Sequence, residues 1–217
     1  MITRGVLVTF EGIDGCGKTT QARFLYRFLK KRKIPVILLK EPGGTPLGEA
    51  IRKLLLHSQQ ISAWSELFLY LASRAQLVEE VVRPALAKGK VVILDRYLDS
   101  TLAYQGYGRK LPLPFIRKAH HEFLGTLKPD LTFLLDARPE ELSRILSAKG
   151  PDRMEKESLS FQKRVRRGYL ILARENKNHV CVIRRQDIRR TREKILREWE
   201  KFFQKVRSEK HHDCRAD

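Results

Sequence analysis

No stretch of the 217 residues holds eighteen consecutive apolar side chains, so the sequence predicts no membrane-spanning helix. Cysteine is scarce. Cys16, Cys181 and Cys214 are odd in number and widely scattered, which matches neither a disulfide framework nor a zinc-type spacing and suits a reduced cytoplasm. A β-type run starts within a few residues of Met1, so no signal or transit peptide is expected. Acidic residues are few, 25 against 44 Lys and Arg, and the formal net charge is +19. Such an excess points to anionic partners. Yet no zinc finger, aromatic stacking motif or helix-turn-helix signature accompanies it, so nucleic-acid binding is not the expected role. Much of the charge sits late in the chain, at Lys163, Arg164, Arg166 and Arg167, then at Arg184, Arg185, Arg189, Arg190, Arg192 and Lys194. The last group opens an amphipathic helix whose expected buried stripe is Ile188, Ile195, Trp199, Phe202 and Val206, leaving the charges as its solvated face. Linkers, repeats and low-complexity stretches are also missing. One domain is expected over residues 1–207, followed by a disordered polar tail at 208–217.

What the chain does have is Gly12-Ile-Asp-Gly-Cys-Gly-Lys18-Thr19, a fit to G-x-x-x-x-G-K-[ST], the phosphate-binding loop. Val6–Phe10 precedes it as a β-type run, and Ala22, Phe24, Leu25, Phe28 and Leu29 follow it at helical spacing. A loop between strand and helix lets successive backbone N–H groups converge on phosphate oxygens, with the helix dipole favouring the anion. The expected ATP-binding set is therefore Gly12, Asp14, Gly15, Cys16, Gly17, Lys18, Thr19 and Thr20. Lys18 would reach the outer phosphates and the Thr19 hydroxyl would ligate Mg²⁺. Cys16 reads as a small side chain that the tight loop accommodates.

Nearly continuous apolar runs recur at Val6–Phe10, Val36–Leu39, Val91–Leu94, Leu131–Leu135 and Val180–Ile183. Helical patterns separate them at 18–31, 46–56, 65–88, 112–124, 139–148, 158–176 and 187–207. Strands that are apolar on both faces belong to a parallel sheet covered on both sides. The alternation predicts an α/β fold, a doubly wound five-stranded parallel sheet flanked by helices, with ligands at the C-terminal ends of the strands.

Those strand ends carry polar residues. Val91–Leu94 runs straight into Asp95-Arg96, the arrangement that sets a carboxylate near Mg²⁺ and a guanidinium fork beside a second phosphate. The second strand ends in Lys40-Glu41-Pro42-Gly43-Gly44-Thr45-Pro46, a rigid turn in which Glu41–Pro42 is a candidate cis bond.

Phe10 to Thr20, Glu41 to Thr45 and Asp95 to Gly106, joined by Leu71 to Val78, Lys128-Pro-Asp130 and Asp152-Arg-Met-Glu155, resemble the bacterial thymidylate kinases over most of the chain up to about residue 185. This likeness implies a P-loop kinase that moves the γ-phosphoryl group of Mg²⁺-ATP to dTMP, in the cytoplasm and as a homodimer packed through helices flanking the third strand. It also implies site roles. Tyr70 would stack on thymine and Arg74, one helical turn on, would donate to a base carbonyl. Ser100 and Thr101 would lie near the base edge, and Tyr104 would crowd the 2′ position. Asp14 would sit near the 3′-hydroxyl and the metal, while Arg96 would hold the acceptor phosphate. Glu41, Pro42 and Gln105 complete the implied dTMP set, and Thr19 with Asp95 the metal set. A mobile lid is implied at about 147–157. Gly15 stands where some relatives carry a catalytic Arg, so lid cations are implied instead, from among Arg144, Lys149 and Arg153. The catalytic set is Lys18, Asp95, Arg96 and Arg153. Glu155 would either orient lid arginines or cap the next helix.

Two other readings stay open on the residues alone. A nucleoside kinase acting on a 5′-hydroxyl would need a carboxylate base, for which Glu11 or Asp95 is available. A nucleotide-dependent switch or nucleic-acid-stimulated ATPase has only the basic C-terminal surface in its favour. Asn176-Lys177-Asn178-His179 lacks the Asp of a guanine-reading segment.

Overall fold

The computed structural model describes residues 4–58, 60–142, 153–154 and 157–213. Strand β1, Val6–Glu11, is buried at every position because it runs through the middle of the sheet. Its neighbours are β3, Val91–Asp95, and β4, Leu131–Asp136; the edges are β2, Val36–Lys40, and β5, Val180–Arg184. All pairings are parallel, in the order β2-β3-β1-β4-β5. Alternate residues of β1 serve different layers. Val6, Val8 and Phe10 pack with Leu25 and Leu29 of α1, Lys18–Lys31, whereas Leu7 packs with Leu77, Val78 and Val82.

Each strand extends one residue past its apolar run, onto Glu11, Lys40, Asp95, Asp136 and Arg184. The register sets Lys40 and Phe10 beside Asp95, so the C-terminal ends of β2, β3 and β1 lie level along one side of the sheet. That side is where the fold concentrates its chemistry.

Helix α2, Pro46–His57, begins at Thr45, whose hydroxyl accepts from Gly48 N at 3.0 Å. The single helix expected over 65–88 is instead three consecutive segments: α3, Ala63–Leu77, a π-helical turn, Val78–Val82, and α4, Arg83–Ala87. Pro84 lies at the joint and supplies no N–H to the carbonyl four residues earlier, which favours the wider turn.

A larger departure follows β3. Residues 98–108, to which the sequence periodicity assigns no helix, form α5, Leu98–Thr101, continued by a π-helical segment, Leu102–Gly108. Gly106 and Gly108 weaken the helical signal, by about 1 kcal/mol each relative to Ala. Both are there for close packing. A Cβ on Gly106 would lie 2.4 Å from Leu113 Cδ2, and one on Gly108 2.7 Å from the Phe161 ring. Leu113 opens α6, Leu113–Leu124, and Phe161 lies in α7, Leu159–Glu175, so tertiary contact overrides local propensity here.

The last helix, α8, runs from Ile188 to Asp213. Residues 208–213, expected within a polar tail, thus continue the helix. Its buried stripe holds Ile195 and Trp199, with Phe202 packed at the margin, but Ile188 is 58% exposed. In its place Thr191 is buried. Residues 139–142 are helical, in accord with the start of the helix expected at 139–148. The remainder of that helix and most of the expected lid lie outside the described residues, as do Arg144, Lys149 and Glu155.

Candidate active site

The loop between β1 and α1 takes backbone conformations that side chains resist. Gly12 has φ 137°, and a Cβ there would lie 2.5 Å from the Leu135 carbonyl oxygen. Gly17 caps α1 with φ 104° and opens the helix N-terminus toward the loop. Lys18 is buried and its ammonium folds back to donate to Ile13 O at 2.8 Å. The Thr19 hydroxyl donates to Asp95 Oδ2, joining α1 to the end of β3. Asp95 is buried and its second oxygen, Oδ1, has no hydrogen-bond partner among the described residues. A hydroxyl beside an unsatisfied buried carboxylate oxygen is a donor set suited to a hard divalent cation. Among the described residues no group of three His, Cys, Asp or Glu forms a fuller cage.

Beside the loop stands Arg96, a non-glycine residue with φ 79°. Such strain, of order 1–3 kcal/mol, concentrates at functional sites. It aims the guanidinium across the loop, where it pairs with Asp14 and donates weakly to Gly12 O at 3.4 Å and Ser100 Oγ at 3.2 Å. Tyr104 donates to Asp14 Oδ2 at 2.6 Å, and its ring lies under Arg96 at 5.0 Å. Burial pushes the Asp14 carboxyl up, but Arg96, Lys18 and the Tyr104 hydroxyl together outweigh it and hold the group at about 2. Beneath this pair Glu11 accepts from Tyr97 N at 2.8 Å and Ser100 Oγ at 2.6 Å, so Ser100 supports Arg96 as well as lining the cavity. Burial raises the Glu11 pKa.

A cavity of about 110 Å³ opens next to Arg96. All ten residues expected around dTMP, namely Asp14, Glu41, Pro42, Tyr70, Arg74, Arg96, Ser100, Thr101, Tyr104 and Gln105, line it. Glu41–Pro42 is cis, as expected. Arg74 is only 1% exposed, and its guanidinium is almost fully engaged. Nε donates to Glu41 at 2.5 Å, one Nη to Thr101 Oγ1 at 2.8 Å and His120 Nε2 at 2.7 Å, and the other to Tyr97 O at 2.9 Å. Burial and the Arg74 charge push His120 down to about 2, so it is neutral and accepts through Nε2. Burial raises Glu41 as well, against the pull of Arg74.

Arg153, the lid residue expected at the transferring phosphoryl group, is held elsewhere. Its Nε donates to Leu55 O at 3.0 Å and an Nη to Glu66 at 2.6 Å. Motif reading passed over Lys40, Arg52, Leu56 and Met154 in the cavity wall, and Glu66 and His120 behind it. Lys40 was within reach as the last residue of a strand, and Arg52 donates to Pro42 O at 3.0 Å. Met154 falls within Asp152-Arg-Met-Glu155 without a role of its own, and Leu56, Glu66 and His120 carry no local sequence signal.

The chain matches the protein-family model described as Thymidylate kinase over residues 10–195. It is 52% identical over 176 residues to the thymidylate kinase of Chlorobium luteolum, covering 76% of this chain and 82% of that protein. To the thymidylate kinase of Fervidobacterium nodosum it is 45% identical over 198 residues, covering 91% and 98%. The crystal structure of thymidylate kinase from Ehrlichia chaffeensis matches with a TM-score of 0.76 at 34% identity, over 91% of this chain and 99% of that one. With its phosphate loop, strand-end Asp95 and Arg96 and adjoining cavity thus matched along most of its length, the chain belongs to the thymidylate kinase family.

Proposed function

We propose that this chain carries out its family's reaction, ATP + dTMP giving ADP + dTDP, with the residue roles that follow. The observation that carries the reading is the meeting of three features at one sheet edge: the Lys18 loop, the Thr19–Asp95 pair, and Arg96 at the mouth of a cavity containing Tyr70, Arg74 and Gln105. The loop amides from Gly12 to Thr20 hold the ATP phosphates, and Lys18 leaves Ile13 O for the outer ones. Thr19 and Asp95 would hold Mg²⁺, which neutralises charge on the phosphate oxygens. Arg96 exchanges Asp14 for the phosphate of dTMP. A phosphate oxygen of dTMP then forms the new P–O bond to the γ-phosphorus while the bond from that phosphorus to the β–γ bridging oxygen breaks, and the electron pair leaves on ADP. No general base is required, because the attacking oxygen is already anionic. This distinguishes the site from one that must deprotonate a 5′-hydroxyl, where Glu11 would act as base while accepting from Tyr97, Ser100 and Tyr169.

Tyr70 stacks on the base, Arg74 donates its one remaining N–H to a base carbonyl, and Tyr104 excludes a 2′-hydroxyl. Arg153 reaches the phosphoryl group only by leaving Glu66 and Leu55, so its catalytic role requires a lid movement.

A homodimer would seat on Trp64, Phe68 and Phe115, three mutually packed rings exposed by 40, 53 and 40% on α3 and α6. A cytoplasmic location accords with free thiols at Cys16 and Cys181, and no described helix is long and apolar enough to cross a membrane.

The test is ADP release from Mg²⁺-ATP with dTMP, dUMP, UMP, dCMP and thymidine offered separately, with Lys18→Ala, Tyr70→Ala and Arg96→Ala alongside. Strong turnover with dTMP, weaker turnover with dUMP and a severe loss in all three variants is expected. Turnover with thymidine but not dTMP would overturn the role of Arg96.

A further inference from the structure

Glu66 lies one helical turn before Tyr70 on α3 and is 0% exposed, yet it belongs to no motif. Its carboxylate accepts from three side chains, two in the stretch after β3 and one at Arg153. Gln105 Nε2 donates to Oε1 at 2.8 Å, as does Arg109 Nε at 3.1 Å. Arg109 Nη2 at 3.0 Å and Arg153 Nη2 at 2.6 Å converge on Oε2. Burial alone would favour the neutral acid, but these donors outweigh it and hold Glu66 below the ordinary carboxylate range.

An ionised carboxylate only accepts hydrogen bonds. Gln105 must therefore turn its NH₂ toward Glu66, which leaves the amide oxygen for the cavity that Gln105 lines. That oxygen accepts no hydrogen bond from any described residue. Arg74, in the same wall, has four of its five N–H donors engaged and one left on Nη2. The wall thus offers one acceptor and one donor. A 4-keto pyrimidine presents N3–H beside O4, the complement of that pair. A 4-amino pyrimidine presents a bare N3 beside an amino group, which sets acceptor against acceptor and donor against donor.

We propose that Glu66 is a positioning residue for base selection: by fixing the orientation of the Gln105 amide, it makes the cavity accept a 4-keto pyrimidine and reject a 4-amino one. This rests on the reading of the cavity as the dTMP site. The same carboxylate holds Arg153 and Arg109, and Arg109 also pairs with Glu157 at 2.6 Å, so base reading shares its anchor with Arg153 and, through Arg109, with Glu157.

Glu66→Gln tests the idea with little change in shape. Two arginine donors meet at Oε2 against one at Oε1, so the new amide keeps its oxygen at Oε2 and sets its NH₂ toward Gln105, which then flips, and toward Arg109 Nε, which loses that bond. The kcat/KM ratio of dTMP to dCMP is expected to fall by about tenfold or more, because a buried hydrogen-bonding pair that discriminates has been inverted. KM for dTMP should rise more than kcat falls. In Gln105→Ala the ratio should also collapse, and adding Glu66→Gln to it should change the ratio no further. A folded Glu66→Gln protein with the wild-type ratio would overturn the proposal. Should that variant not fold, the wild-type protein decides: the Gln105 side-chain N–H signals, assigned by their loss in Gln105→Ala, should be protected from solvent exchange, and rapid exchange would sink the idea. If wild-type enzyme turns over dCMP as well as dTMP, the substrate reading itself has failed, independently of Glu66.

Discussion

Replacing Asp14 with Asn should cost the protein stability in a way that depends on pH. Asp14 is held at about 2, against an ordinary 3.8, by its pairing with Arg96, its bond from Tyr104 and the nearby Lys18. Its side chain is 19% exposed, so solvent screening is limited. The difference corresponds to about 2 kcal/mol in favour of the folded state. Since the folded value lies below the unfolded one, this contribution is fully present above pH 4 and is lost as pH falls through 2. Roughly half of it should be gone at pH 3. Asp14→Asn also leaves the Arg96 charge without its partner, which brings the expected loss at pH 7 to about 3 kcal/mol or more. Urea unfolding of both proteins at pH 7, 5, 4 and 3 reads the difference directly, and the gap between them should narrow at the acid end. A gap that stays constant down to pH 3 would refute the ionic origin of the stabilisation. So would a carboxyl titration by NMR that places Asp14 at or above 3.8 in the wild-type protein.

Gly12→Ala forces a Cβ against the Leu135 carbonyl at a φ of 137°, so ATP binding should be lost and stability should fall by about 2 kcal/mol, measured by nucleotide titration and thermal melting. Thr19→Val removes the hydroxyl on Asp95. It should raise the Mg²⁺ concentration needed for half-maximal rate about tenfold or more, while an unchanged Mg²⁺ dependence would dismiss Thr19 as a ligand. Arg74→Met leaves Glu41 buried without its partner, and should cost about 3–5 kcal/mol in urea unfolding and sharply raise KM for dTMP. Phe68→Glu places a charge on the exposed aromatic patch; if the proposed homodimer seats there, sedimentation should show dimer for wild type and monomer for the variant, and an unaltered dimer would put the interface elsewhere.

Helix α3 separates what was legible in the sequence from what was not. Tyr70 and Arg74 could be found because they lie one turn apart within a recognisable stretch, and the phosphate loop because strand, glycines and helix are contiguous. Glu66, on the same helix, gave no sign. Its partners Gln105, Arg109 and Arg153 are 39, 43 and 87 residues away, and only the packing of α3 against the segment after β3 brings them together. The helical order of that segment gave no sign either, since Gly106 and Gly108 resemble loop residues until the side chains of Leu113 and Phe161 are seen to occupy the space a Cβ would take. Arg153 shows the same limit: a basic lid residue suggests a phosphate, while only the structure shows its guanidinium on a carboxylate and a backbone carbonyl.

The sequence by itself determined the parallel sheet, the phosphate loop and the strand-end Asp95 and Arg96, because each depends on the local periodicity or short spacing of neighbouring residues. Only the tertiary structure decided which buried charges face one another. Arg74 on Glu41 and His120, Arg96 on Asp14, and Gln105 with two arginines on Glu66 all arise where distant segments exclude water and unsatisfied polar groups must find partners.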